Sequence, residues 1–238
     1  MIRFEQVSKH YPGGHQALQK VSFHLQQGEM AFLTGHSGAG KSTLINILAG
    51  NVKKTSGTVN IGGYDIDKKE LETKKIIGIV PQDTGYDFVF TVDEALKKQS
   101  GYFGIKNNKE YIDELLDALY LTEKRSARIR DLSGGMRRRF LIAKALVHKP
   151  KILILDDSTS AVDTKTDALI RKAFREEIPD TTKIIIAQRV SSIEDADQII
   201  VLDDGKIAGV GTSEELLQTN EIYREVYESQ VKGGEEDE

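Results

Sequence analysis

The chain has 238 residues, 39% hydrophobic and 7% aromatic, which is enough to bury a core in one or two domains and too apolar for a wholly disordered chain. Its 33 Lys and Arg stand against 37 Asp and Glu, a net charge of −4, which argues against a duplex nucleic-acid binder, where a basic face is the rule. The absence of cysteine excludes disulfides, thiol catalysis and cysteine-ligated zinc or iron–sulfur sites.

Apolar runs such as Lys151–Leu155 and Ile184–Ala187 are far shorter than the roughly 20 residues that cross a bilayer. The opening MIRFEQVSKHY lacks the apolar stretch of a signal peptide, so the expectation is a soluble, cytoplasmic protein.

Along the chain, short apolar runs alternate with helical patterns, as in α/β proteins. Met30–Leu33 reads as a strand running into Gly35, and Ser42–Ala49 as the helix after it. Ile76–Val80 is a further apolar run closed by Pro81. Over 108–120, Tyr111, Leu115, Leu116 and Leu119 stand near helical spacing. A second helix is predicted from Gly135 to Val147, with Pro150 where the chain leaves it. KILILDD reads as a strand buried on both faces, and IIIAQR and IIVLDDGKI repeat the strand pattern, the last with a hairpin turn at Asp204-Gly205. The terminal GGEEDE reads as a solvated acidic tail.

Residues 35–42 read Gly-His-Ser-Gly-Ala-Gly-Lys-Ser, which fits the phosphate-loop pattern G-x-x-x-x-G-K-[ST]. Gly35, Gly38 and Gly40 let the backbone close around phosphates, and the amides of Ser37, Ala39 and the helix start through Thr43 point at them. Lys41 is expected on the β- and γ-phosphates and the Ser42 hydroxyl on Mg²⁺. The expected partner is a carboxylate at the end of a neighbouring strand, and Ile152-Leu153-Ile154-Leu155-Asp156-Asp157 supplies it. Asp156 is the expected Mg²⁺ carboxylate, and Asp157 stands where a general base for the attacking water would be.

Residues 132–135 read Leu-Ser-Gly-Gly, followed by Met136 and three arginines, ahead of the acidic strand. With this signature the chain resembles the ATP-binding cassette (ABC) ATPases. The resemblance covers residues 1 to about 228 and implies a P-loop NTPase (RecA-like) α/β core over 1–90 and 151–228. It also implies an antiparallel β-subdomain near the N-terminus, a helical subdomain over 91–150 ending in the signature, and an acidic tail at 229–238. It implies that Ser133, Gly134 and Gly135 meet the γ-phosphate bound on a second cassette's loop, so that two cassettes sandwich two ATP molecules with Mg²⁺. Tyr11 in HYPGG looks like the aromatic that stacks on adenine. Gln82 in Val80-Pro81-Gln82-Asp83 looks like the glutamine that touches metal and water and couples to a transmembrane partner. Asp163 resembles the acidic residue of the loop contacting the opposite subunit. Arg137–Arg139 are expected on a solvated helix face or against acidic partners rather than nucleic acid.

Two positions depart from the family pattern. Asp157 stands where glutamate is usual, and Gln188 in Ile186-Ala187-Gln188-Arg189 where the switch histidine is usual. Asp157 keeps the charge but falls more than ~1 Å short, a displacement that can cost on the order of 10²-fold in rate. Gln188 can hydrogen-bond the γ-phosphate but cannot carry a proton. The expectation is tight Mg·ATP binding with slow hydrolysis, resembling the degenerate half of heterodimeric ABC exporters.

The style of the resemblance also shifts along the chain. The first stretch resembles the bacterial cell-division ABC ATPase, the middle ABC-2-type exporter cassettes, and the part from Lys151 the cassette of a heterodimeric multidrug exporter. Three styles in order are expected of an engineered chimera. The alternative functions are a non-transport ABC ATPase of the cell-division kind, or a folded chimera without a transport role. The expected partners are a second cassette and a separate transmembrane subunit, with the cassette monomeric when ATP is absent and peripheral to the inner membrane when docked.

Overall fold

A computed structural model of the chain describes residues 1–81, 89–156, 164–186 and 196–235, without the side chains of 164–168 and 230–235. The chain begins with two long strands, β1 (Ile2–His10) and β2 (Gln16–Leu25), then β3 (Met30–Thr34), the phosphate-loop segment and α1 (Lys41–Leu48). Next come β4 (Ser56–Ile61), β5 (Tyr64–Asp65), α2 (Glu70–Lys75) and β6 (Ile77–Val80). Three helices follow, α3 (Val92–Tyr102), α4 (Lys109–Ala118) and α5 (Gly134–Leu146). The chain closes with β7 (Ile152–Asp156), α6 (Thr164–Glu176), β8 (Thr182–Ile186), the hairpin β9 (Gln198–Asp203) and β10 (Lys206–Gly211), α7 (Ser213–Thr219) and α8 (Glu221–Glu235).

The strands form an antiparallel sheet in the order β2-β1-β4-β5 and a six-stranded sheet in the order β10-β9-β3-β8-β7-β6. In the larger sheet β3, β6, β7, β8 and β9 are mutually parallel and β10 is antiparallel to β9. The chain is therefore an α/β protein.

Period-2 geometry explains why KILILD is apolar throughout. Ile152 and Ile154 join Ala31, Leu33, Ile184, Ile186, Ile200 and Leu202 in a core shared with α1 and the antiparallel sheet. Leu153 and Leu155 point the other way, into a core with Phe32, Ile185, Val201 and the faces of α3, α4 and α5. Each fully buried side chain of this size contributes about 1.5–3 kcal/mol, so both faces of the sheet are committed.

Parallel register then sets the site. Leu33 of β3 and Asp156 of β7 both pair with Ile186 of β8, so the two strand ends stand level with β8 between them. The expectation of a neighbouring strand is corrected: two inter-strand steps, about 10 Å, separate the loop-bearing strand from the acidic one. A parallel pair needs a crossover connection, and the crossovers of this sheet insert β8 between them.

Three other expectations meet the structure at single elements. The predicted hairpin turn is present, with φ of 42° at Asp204 and 73° at Gly205, the positive pair that a two-residue turn of primed type requires. The helix predicted from Gly135 starts at Gly134 and ends at Leu146. The backbone of 229–235 is helical where the sequence reads a tail, because α8 continues to Glu235. Its Tyr223 is fully buried and Val226 and Tyr227 follow at helical spacing, so the helix is anchored early and propagates. Among the described residues, no helix is long and apolar enough to cross a membrane.

Candidate nucleotide site

The phosphate-loop segment leaves β3 at the carboxyl edge of the sheet and turns into α1. Gly40, at the helix N-cap, has φ of 104°, and a Cβ there would lie 2.5 Å from the Ala17 carbonyl oxygen. Gly35 has φ of 135°, and a Cβ there would lie 2.0 Å from the Leu202 carbonyl oxygen. Both positions thus combine a left-handed backbone with a close approach that only glycine allows. The loop is held from outside by the β9–β10 turn, where Gly205 N–H donates to the Ala39 carbonyl at 3.1 Å and Gln19 N–H donates to the Gly205 carbonyl at 2.7 Å.

Lys41 Nζ donates to the carbonyls of Gly35 at 2.6 Å and His36 at 2.8 Å, so the ammonium folds back over the loop. Burial pushes the Lys41 pKa down, and the charge of Asp156 opposes that shift. The carboxylate on β7 is therefore within electrostatic reach of the loop lysine. Asp156 Oδ1 is buried with no hydrogen-bond partner among the described residues. An orphaned carboxylate oxygen beside an ammonium fits a hard divalent cation. Ser42, exposed in the first turn of α1, carries the other oxygen that could reach such a cation. No group of three His, Cys, Asp or Glu side chains among the described residues could hold a metal by itself, so Mg²⁺ here would share Asp156 and Ser42 with phosphate and water oxygens.

Tyr11 lies half-buried in the turn between β1 and β2, with Lys9 Nζ 4.8 Å from its ring centroid and His15 stacked at 6.4 Å. Ser133 is the N-cap of α5, its hydroxyl oxygen accepting from Met136 N–H at 3.3 Å, and Ser133 and Gly134 are exposed. The helix that carries them packs on α3, α4, α6 and β6, whereas α1 packs on β2 and β7. The phosphate loop and the signature thus stand on different layers of one chain.

A family model described as ABC transporter matches residues 18–160, more than half the chain and the span from β2 to the end of the acidic strand. The chain belongs to the ABC transporter family. An uncharacterised ABC transporter ATP-binding protein of Mycobacterium tuberculosis is 34% identical over 97% of the cassette and 41% of its own length. A multidrug efflux ATP-binding/permease protein of the same species is 34% identical over 94% of the cassette and 19% of its own length. A bacterial Atm1-family ABC exporter with ATP bound superposes with a TM-score of 0.85 at 29% identity, over 96% of the cassette and 42% of that chain. An ATP-binding subunit of an ABC transporter, 20% identical with a TM-score of 0.83, shares the fold over 97% of the cassette and 99% of that chain. The cassette spans about two fifths of the length of the first of these relatives.

Gln82, Asp157, Asp163 and Gln188 lie outside the described residues. The arginine run is corrected. Arg138 is buried, at 7% exposure, and its half-buried neighbours cap carbonyls. Arg137 Nη2 donates to the Leu132 carbonyl at 3.2 Å, and Arg139 Nη1 to those of Leu119 at 2.9 Å and Tyr120 at 3.2 Å. Planar guanidinium groups suit carbonyls left open at helix ends and turns.

Sequence reasoning missed one contact of the phosphate loop. His36 Nε2 lies 3.6 Å from Glu225 Oε2 of α8, an exposed approach of the loop to the C-terminal helix. The two residues are far apart in the chain, and no local pattern announces such a pair.

Proposed function

We propose that this cassette binds Mg·ATP, dimerises around it as an exporter's nucleotide-binding domain, and hydrolyses it slowly. The observation that carries the reading is the pairing of a glycine-specific cradle and folded-back Lys41 with the orphaned Asp156 oxygen. The loop amides and the start of α1 would receive the phosphates. Lys41 would exchange two carbonyl contacts for phosphate oxygens, and Asp156 with Ser42 would hold the metal, with Gln82 completing its contacts. Bound Mg²⁺ would supply charge neutralisation across the phosphates. Tyr11 would offer its ring to the adenine.

The Ser133-Gly134-Gly135 helix start, exposed at Ser133 and Gly134, would meet the nucleotide of a second cassette, with Asp163 at the same junction. A core and a helical subdomain divided near residues 91 and 150 would move as two parts of this machine. The multidrug efflux relative and the Atm1-family exporter, both longer than this chain, support a transmembrane partner, either a separate subunit or the rest of a longer protein. The shift of style along the chain supports an engineered chimera, and single alignments at 34% identity reach across 94–97% of the cassette.

Slow turnover follows from Asp157 and Gln188. The shorter carboxylate positions water poorly, and the amide accepts no proton, so loss of acid–base help costs about 10²–10⁴-fold. The two losses act on one step and do not multiply. The test measures Mg·ATP affinity and steady-state ATPase rate on one sample. Binding with a rate near background is expected, and Asp157→Glu with Gln188→His should raise the rate. Brisk turnover of the parent chain would refute the slow-hydrolysis reading, and absence of binding would refute the whole proposal.

A further inference from the structure

The segment 119–132 leads from α4 to the signature, and it is fastened along its whole length. Its start is held by Arg139, which caps the Leu119 and Tyr120 carbonyls, and its end by Arg137, which caps Leu132. Its middle lies beside the entrance to α3. Ile129 N–H donates to the Phe90 carbonyl at 3.2 Å, Val92 N–H to Ala127 at 3.1 Å and Asp93 N–H to Arg125 at 3.1 Å, with a bridge between Thr91 and Arg128. Ile129 and Leu132 are buried in the helical core, so the strap is pinned on its inner side as well.

One side chain joins the strap to both helices beneath it. Arg125 donates through Nε at 2.8 Å and reaches through Nη2 at 2.7 Å to Asp93 Oδ1, at the start of α3. Its Nη1 pairs with Asp113 Oδ1 on α4. Lys97 takes the other Asp93 oxygen at 2.6 Å. The cluster therefore spans α3, α4 and the strap with one guanidinium at its centre, and charge-assisted bonds of this kind are the stronger class. The paired carboxylates of Asp113 and Asp93 push the Arg125 pKa up; burial opposes the shift at Asp93, but Lys97 and Arg125 together hold its carboxyl below the usual range.

We infer that Arg125 is the positioning residue of the signature: it fixes the strap against α3 and α4 and so presents the Ser133-Gly134-Gly135 amides at a set height and angle. Arg125 itself stands eight residues before Ser133 and acts only through the strap. The inference rests on reading the signature as a nucleotide-contacting helix start, and a lysine replaces the arginine only in part, because its ammonium lacks the planar fork that spans Asp93 and Asp113.

The test is amide hydrogen exchange on the full chain without nucleotide, beside affinity for fluorescent Mg·ATP. In Arg125→Ala, exchange over 126–136 is expected to quicken about tenfold while α1 and the phosphate loop keep the parent's rates and Mg·ATP affinity stays within about twofold. Arg125→Lys should fall between the two, and Asp113→Asn should reproduce part of the effect with the Asp93 contact left in place. Unchanged exchange over 126–136 overturns the inference. So does acceleration spread equally into α1, since that would mark a general loss of stability. ATP-driven association of the alanine variant should weaken about tenfold relative to the parent. A parent chain that does not associate with ATP would count against the proposed function, and the exchange measurement would still decide the role of Arg125.

Discussion

The imidazole of His148 lies flat on the ring of Phe103, with centroids 3.7 Å apart and 3° between the planes. This contact joins the end of α5 to the end of α3, and His148 Nε2 is 3.1 Å from the Ile77 carbonyl on β6. His148 Nδ1 is buried with no partner among the described residues. Burial pushes the His148 pKa below 6.5, with the Ile77 hydrogen bond opposing the shift. The folded state thus prefers the neutral ring. The contribution is fully present above pH 6.5 and is lost as pH falls, because the unfolded chain takes up the proton first. Urea denaturation between pH 7.5 and 5.5 should show a stability loss in the parent that His148→Phe lacks. Parallel pH dependence in the two proteins would refute the assignment.

Lys183 is buried at the start of β8, at 4% exposure, and its Nζ donates to the carbonyls of Ile178 and Thr181, each at 2.8 Å. Burial lowers its pKa from 10.5 to about 8, against the opposing charges of Asp197 and Asp180. Between those values the unfolded chain holds a proton that the folded chain has shed, so this group makes stability rise with pH across that window. The parent should gain on Lys183→Met between pH 7.5 and 9.5 in matched urea titrations. A constant difference would show that Lys183 keeps its proton in the fold.

Ser133 has two tasks that separate experimentally. As N-cap of α5 it satisfies Met136 N–H, and Ser133→Ala should lower stability by about 1 kcal/mol. Ser133→Asp restores a capping oxygen and should recover that stability, while its carboxylate would repel a γ-phosphate. Stability recovered with ATP-driven association still lost is the expected pattern. Recovery of both would take the hydroxyl out of nucleotide contact.

The phosphate loop discriminates among its glycines. Gly35→Ala meets both a left-handed φ and the Leu202 carbonyl, so a loss of at least about 3 kcal/mol is expected in urea denaturation. Gly38 has φ of 83° but open space around its Cβ direction, and Gly38→Ala should cost about 1–2 kcal/mol. Equal losses would mean that the carbonyl yields without cost.

Local pattern carried far into this fold. The alternating faces of Ile152–Asp156, the positive-φ turn at Asp204-Gly205 and the serine cap of α5 each depend on residues within a few positions of one another. The glycine spacing of residues 35–42 was legible for the same reason. The arginine run was misread because a helix face is solvent or interior only according to what packs on it. Here Arg138 is buried among other elements and its neighbours cap carbonyls of the segments before α5. The reach of α8 to Glu235 was missed because its anchor, Tyr223, is buried in the core that includes Phe32 and Val201, which no local pattern reveals.

The amino-acid order by itself marked β3, α1, β6, α4, α5, β7, β8 and the β9–β10 hairpin, the glycine pattern of residues 35–42 and Asp156 at the end of an acidic strand. Those features rest on period, turn chemistry and short-range capping, whose partners are close in sequence. Tertiary structure alone decided that β8 stands between β3 and β7, that Gly205 buttresses the phosphate loop, and that Arg125 gathers α3, α4 and the strap. Each of these depends on crossover connections and on side chains from remote segments meeting, and nothing in a local window encodes which distant partner arrives.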